Sequence, residues 1–90
     1  MRQDIAVVVG EDVDAGAIVA AATEAAGEEL REARVFDVYR GDQVSDGKKS
    51  VAFSVVFQST ERTLSEDDAS RLRGAIVERL ARDFGAELRA

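Results

Sequence analysis

The chain contains no cysteine, no histidine and no proline. Without cysteine there is no disulfide, no thiol nucleophile and no thiolate metal site. Without histidine, the commonest general base and the commonest transition-metal ligand are both missing. Without proline there is no Pro-rich linker, and no internal repeat or low-complexity tail breaks the chain. No apolar run reaches the length that crosses a bilayer, and no basic-then-apolar leader precedes the first strand pattern. The expectation is a non-secreted, cytoplasmic chain with no membrane partner. Its 90 residues have room for one core, which buries a modest share of the surface.

Positive charge is scarce in the first third. Arg2 and Arg31 are the only cations before Arg34, and the whole formal net charge of −6 gathers there. Acidity of this kind argues against strong, autonomous binding to nucleic acid, because phosphate contacts need Lys and Arg. The balanced second part leaves room for a local RNA-facing surface.

What is present is a clear pattern of elements. The stretch Val35 to Phe57, VFDVYRGDQVSDGKKSVAFSVVF, holds two runs of period-two alternation around a Gly- and Asp-rich loop. Strict alternation means half-buried antiparallel strands, since successive side chains leave a pleat on opposite sides. In the first run Phe36 and Val38 share one face and Asp37 and Tyr39 the other. In the second, Val51, Phe53, Val55 and Phe57 oppose Ser50, Ala52, Ser54 and Val56.

Around this hairpin the spacing predicts a first strand at about 4–9 with Ile5, Val7 and Val9 inward. A helix follows at about 14–27, with Asp14 as N-cap and Ile18, Ala22, Ala25 and Ala26 as its stripe. Leu30 is read as part of a connection. The hairpin strands fall at about 33–40 and 48–58. A second helix at about 65–84 opens on Ser65 and the acidic run Glu66-Asp67-Asp68, and its stripe is Ala69, Leu72, Ile76, Leu80 and Phe84. Gly85 ends it, and a last strand at about 86–90 turns Leu88 inward and Glu87 and Arg89 outward. The order β-α-β-β-α-β, with one apolar stripe per helix, predicts an α+β fold of ferredoxin-like split-βαβ plan. Its four-stranded antiparallel sheet has order 4-1-3-2, with both helices on one face.

The second sheet face is left open. Parity places Asp4, Ala6, Val8, Asp37, Tyr39, Ser50, Ala52, Ser54, Glu87 and Arg89 on it, and puts all four Phe residues on the core side. Tyr39 is then the lone aromatic of the open face. A flat ring on an open sheet can stack an unpaired base, with Asp37 and Ser50 reading base edges and Arg89, Arg40 and Lys48 meeting phosphate or base. Each residue also has a plainer reading. A strand Tyr is commonly just a good β residue. Lys48 and Lys49 at a hairpin end guard against edge pairing. Asp37 and Ser50 can be solvated, and Arg89 can pair with Glu87 or Asp4. Three adjacent acids at 66–68 do not converge on one helix face, so they start a helix rather than hold a metal. No Gly-rich phosphate loop occurs.

The segments RQDIAVVVGEDVDAG, VFDVYRG, GKKSVAFSVVFQSTERTLSEDD and FGAELR, at their spacing, resemble the ferredoxin-fold anticodon-binding domain of bacterial phenylalanyl-tRNA synthetase beta chains. The resemblance covers about residues 2–89. It departs at Asp14, where the family often has Pro, but Asp caps a helix equally well. It implies one domain over 1–90 that binds the anticodon stem-loop of phenylalanine tRNA through Asp37, Tyr39, Ser50 and Arg89, with Arg40 and Lys48 as weaker candidates. It implies no catalytic, cofactor or metal residue in this domain. The parent would be an α2β2 ligase that uses ATP and Mg2+ at a site on the other chain. In that family the domain ends a chain several times longer, so an excised, monomeric domain with an added Met1 is expected. Two other readings keep the fold but change the function. One is a dimeric regulatory domain that binds an amino acid near the Gly10-Glu11-Asp12 turn. The other is a plain interaction module joined edge to edge.

Overall fold

The computed structural model describes residues 1–41, 44–59, 61 and 63–89. Asp42 and Gln43 of the expected hairpin loop, Thr60 and Arg62 of the expected connection, and Ala90 at the expected end of the last strand lie outside the described residues. The elements are β1 (Arg2–Gly10), α1 (Ala15–Ala26), a single 3-10 turn (Gly27–Glu29), β2 (Leu30–Tyr39), β3 (Lys48–Phe57), α2 (Glu66–Phe84) and β4 (Glu87–Leu88). The sheet runs β2-β3-β1-β4 with every neighbouring pair antiparallel, as the sequence pattern predicted.

One sheet face and two helical stripes make the core. Ile5, Val7 and Val9 of β1 and Val51, Phe53, Val55 and Phe57 of β3 are fully buried. Against them lie Ile18, Ala21, Ala22 and Ala26 of α1 and Ala69, Leu72, Ile76 and Leu80 of α2, with Ala25 and Phe84 partly covered. The small side chains of α1 allow that helix to sit close to the sheet.

The helix ends follow from local chemistry. The Asp14 carboxylate accepts from the Gly16 N–H at 3.0 Å. Ser65 and Asp68 form a reciprocal box: Ser65 Oγ accepts from the Asp68 N–H at 3.1 Å, and the Asp68 carboxylate accepts from the Ser65 N–H at 3.0 Å. Such a cap contributes about 1 kcal/mol and gives the acidic run its place at the helix start. At the other end Gly85 takes φ +64°, where a Cβ is disfavoured, and the Ala86 N–H reaches back to the Leu80 carbonyl at 3.3 Å. Where the short β4 no longer covers β1, Arg73 of α2 donates to the Asp4 carbonyl at 3.0 Å and occupies that edge.

Four expectations are corrected. Leu30 is not in a connection: it pairs with Phe57 and opens β2. Leu88 stands opposite Val7, but its two-residue strand at the sheet edge leaves it half exposed. Lys49 is not an exposed edge guard; it pairs with Val9 on the core-side register and is buried. Most consequential, Phe36 does not face the core. The register slips between Val35, opposite Phe53, and Asp37, opposite Ala52. Phe36 is the extra residue of a bulge, where two residues face one on the partner strand, and it is 56% exposed.

Candidate functional site

The face opposite the helices can be read row by row. Arg34, Ser54 and Asp4 lie side by side across β2, β3 and β1. The next row is Asp37, Ala52 and Ala6, and the Arg89 N–H donates to the Ala6 carbonyl at 2.7 Å. The third row is Tyr39, Ser50, Val8 and Glu87. Alternation on each strand sends these side chains away from the core, so the rows form one surface. Its middle is floored by the alanines of the second row, which let a flat ligand approach the backbone.

Four of the six sequence candidates meet here. Asp37 and Tyr39 are exposed on β2. Arg89 reaches across the sheet from the edge beyond β1, and its guanidinium carbon lies 5.2 Å from the centre of the Tyr39 ring. A cation over a ring face at an exposed site contributes about 0.5–1 kcal/mol, so the two side chains preorganise each other. Ser50 stands between Tyr39 and Val8 and is only 3% exposed, which makes it the floor of this corner rather than a projecting group. Gly41 completes the corner. A Cβ built there would fall 2.7 Å from the Tyr39 hydroxyl, so only glycine leaves the ring its place.

The other two candidates sit one step further, at the hairpin end. Lys48 pairs with Gly10 and is exposed. Arg40 turns away from the open face and clamps Glu11, its Nε donating to both carboxylate oxygens at 2.7 and 2.9 Å. The Glu11 N–H donates to the Gly47 carbonyl at 2.9 Å, so the β1–α1 turn and the hairpin loop are tied twice. This turn is the one an amino-acid sensor would use, and its Glu11 carboxylate is engaged by Arg40.

The Arg40 hydrogen bond, helped by the charges of Arg40 and Lys49, holds the Glu11 carboxyl below its ordinary value of 4.5 against a smaller opposing effect of desolvation. A carboxyl depressed in the folded state stabilises the fold above its unfolded pKa, and that contribution is lost as pH falls through the folded value. A 13C titration should therefore place the Glu11 midpoint below 4.5, and Arg40→Gln should return it to the ordinary range. An undepressed midpoint in the unsubstituted chain would rule out the clamp.

Sequence reasoning missed Phe36 as a surface residue, although the signal was there. Glu32 and Arg34 need to face out at even positions, and Asp37 and Tyr39 at odd ones. Uninterrupted alternation cannot satisfy both sets. The strand absorbs one extra residue between them, Val35 keeps the inward place opposite Phe53, and Phe36 goes out.

With this geometry in hand, the chain can be set beside known proteins. It is 50% identical over 88 residues to the phenylalanine–tRNA ligase beta subunit of Vibrio vulnificus, a match that takes in 98% of the chain and 11% of that protein. It is 46% identical over 90 residues to the Bifidobacterium longum beta subunit, covering all of the chain and 10% of that protein. For the Mycolicibacterium paratuberculosis beta subunit the identity is 45% over 87 residues, 97% of the chain and 10% of the relative. The chain thus spans about a tenth of the length of these curated relatives. A match to the ferredoxin-fold anticodon binding domain runs over residues 1–89, and the chain belongs to that family.

Proposed function

We propose that the open sheet face reads the anticodon loop of phenylalanine tRNA. The observation that carries this is the convergence of Asp37, Tyr39, Ser50 and Arg89 on one surface, with the Tyr39 ring held between Arg89 and Gly41. Tyr39 stacks on an unpaired base, Asp37 and the recessed Ser50 hydroxyl read its edge, and Arg89 supplies charge at the rim. The chain acts as the C-terminal domain of a phenylalanine–tRNA ligase beta chain in the cytoplasm and does no chemistry itself. Joining phenylalanine to tRNA with ATP and Mg2+ belongs to the rest of an α2β2 parent, with the active site on the other chain. With a net charge of −6 the domain binds weakly alone, and tethering to other tRNA-binding parts raises its effective concentration.

The test is an NMR titration of the 90-residue chain at low salt with a phenylalanine-tRNA anticodon stem-loop, beside a stem-loop of scrambled loop sequence. Amide shifts should cluster at Asp37, Tyr39, Ser50 and Arg89 and appear with the cognate loop alone. Equal shifts with both RNAs, or none with either at millimolar concentration, would defeat this reading.

A further inference from the structure

We propose that Phe36 and Arg34 form a second stacking platform on the open face, which takes a nucleotide of the same RNA loop next to the one at Tyr39. The proposal rests on reading this face as an RNA surface and adds a site to it. Three observations lead here. The bulge turns Phe36 out beside Asp37, and it is the most exposed aromatic of the chain. Phe36 lines a shallow groove with Arg2, Glu32, Arg34, Val35, Ser54 and Val56, where an aromatic face and two guanidinium groups against one carboxylate suit a base and its phosphate. Several arginines among the described residues are already matched: Arg2 with Asp4, Arg40 with Glu11, Arg71 with Glu29 and Arg79 with Asp83. Arg34 pairs with none of the described carboxylates.

The spacing also fits. Phe36 and Tyr39 lie three positions apart on one strand, but the bulge takes up one of them, so they are about 7 Å apart along it at 3.3 Å per residue. Stacked bases rise about 3.4 Å per nucleotide, so an unstacked loop covers the same distance in fewer steps. Asp37 stands between the two rings, and the Ala52–Ala6 row beside it leaves space for the connecting ribose. The occupant is a nucleotide rather than an apolar segment of protein, because a single ring rimmed by Arg34 and Ser54 offers stacking and charge but little continuous apolar area.

The experiment measures affinity of the 90-residue chain for the labelled anticodon stem-loop, and for a set of stem-loops with one loop base removed at a time. Phe36→Ala should weaken binding about 5- to 150-fold, the usual worth of one stacked base, and Phe36→Trp should keep it. Arg34→Gln should lower the slope of log affinity against log salt by about 0.7, one phosphate contact to a single strand. The loss from Phe36→Ala should vanish with one particular abasic loop, and that position should differ from the one that erases the loss from Tyr39→Ala. If Phe36→Ala binds like the parent chain while Tyr39→Ala is weakened, the second platform is refuted and the anticodon reading stands. The same holds if a single abasic position erases both losses. If the parent chain fails to distinguish the cognate loop from a scrambled one, the proposed function falls and this site with it.

Discussion

Phe53→Ala should lower the stability of this chain by about 3–5 kcal/mol, the usual range for emptying a buried aromatic site. Phe53 lies at the middle of β3, between Ile5 of β1 and Val35 of β2, and is fully buried. It belongs to the single cluster that also holds Ile18, Leu72 and Ile76, so strands on both sides and both helices lose their common partner. A domain of this size has a margin of about 5–15 kcal/mol, and the loss takes a large share of it. Urea unfolding followed by circular dichroism reads the effect as a fall in midpoint with little change in slope. Ser54→Ala, one residue along and on the open face, should stay within about 0.5 kcal/mol of the parent. A loss below about 1 kcal/mol for Phe53→Ala would mean that the sheet and helices do not share the core described.

Tyr39→Ala should leave that stability nearly intact and weaken binding of the phenylalanine-tRNA anticodon stem-loop by about 1–3 kcal/mol, the worth of a stacked base. The ring is partly exposed and lies outside the core cluster, and its main neighbours are Arg89 across the sheet and Gly41 beyond the strand end. Tyr39→Phe keeps the stacking face and should retain most of the affinity. Gly41→Ala adds a methyl 2.7 Å from the Tyr39 hydroxyl, so the ring must shift and the substitution should reproduce part of the loss without removing any group that meets RNA. That pairing separates the position of the ring from its mere presence. Undiminished affinity in Tyr39→Ala, with a folded protein, would remove stacking from the account of this face.

Much of the architecture was readable before any coordinates because it rests on periodicity. The run Ile5, Val7, Val9 and the run Val51 to Phe57 keep one parity from end to end, and the α2 stripe keeps one helical face. Ser65 and Gly85 mark their helix ends by side-chain chemistry and by φ, both local properties. Asp37, Tyr39, Ser50 and Arg89 fell on the outward parity for the same reason. Leu30 was harder, because one apolar residue after Gly27-Glu28-Glu29 and before Arg31-Glu32 carries no period of its own. Only pairing with Phe57 makes it part of a strand.

The face itself divides along the same line. The sequence by itself determined the order of elements, the core side of β1 and β3, both helix caps, and the outward places of Asp37 and Tyr39 on β2 and of Ser50, Ala52 and Ser54 on β3. Each follows from spacing or from a group acting on its own backbone neighbours. Tertiary structure decided the rest: that Phe36 leaves the core, that Ser50 is a floor, that Arg40 serves Glu11, and that Arg89 crosses the sheet to Tyr39. These depend on which residues distant in the chain become neighbours. Periodicity within one strand cannot specify that, because register is settled between strands when their conflicting parities meet over one core.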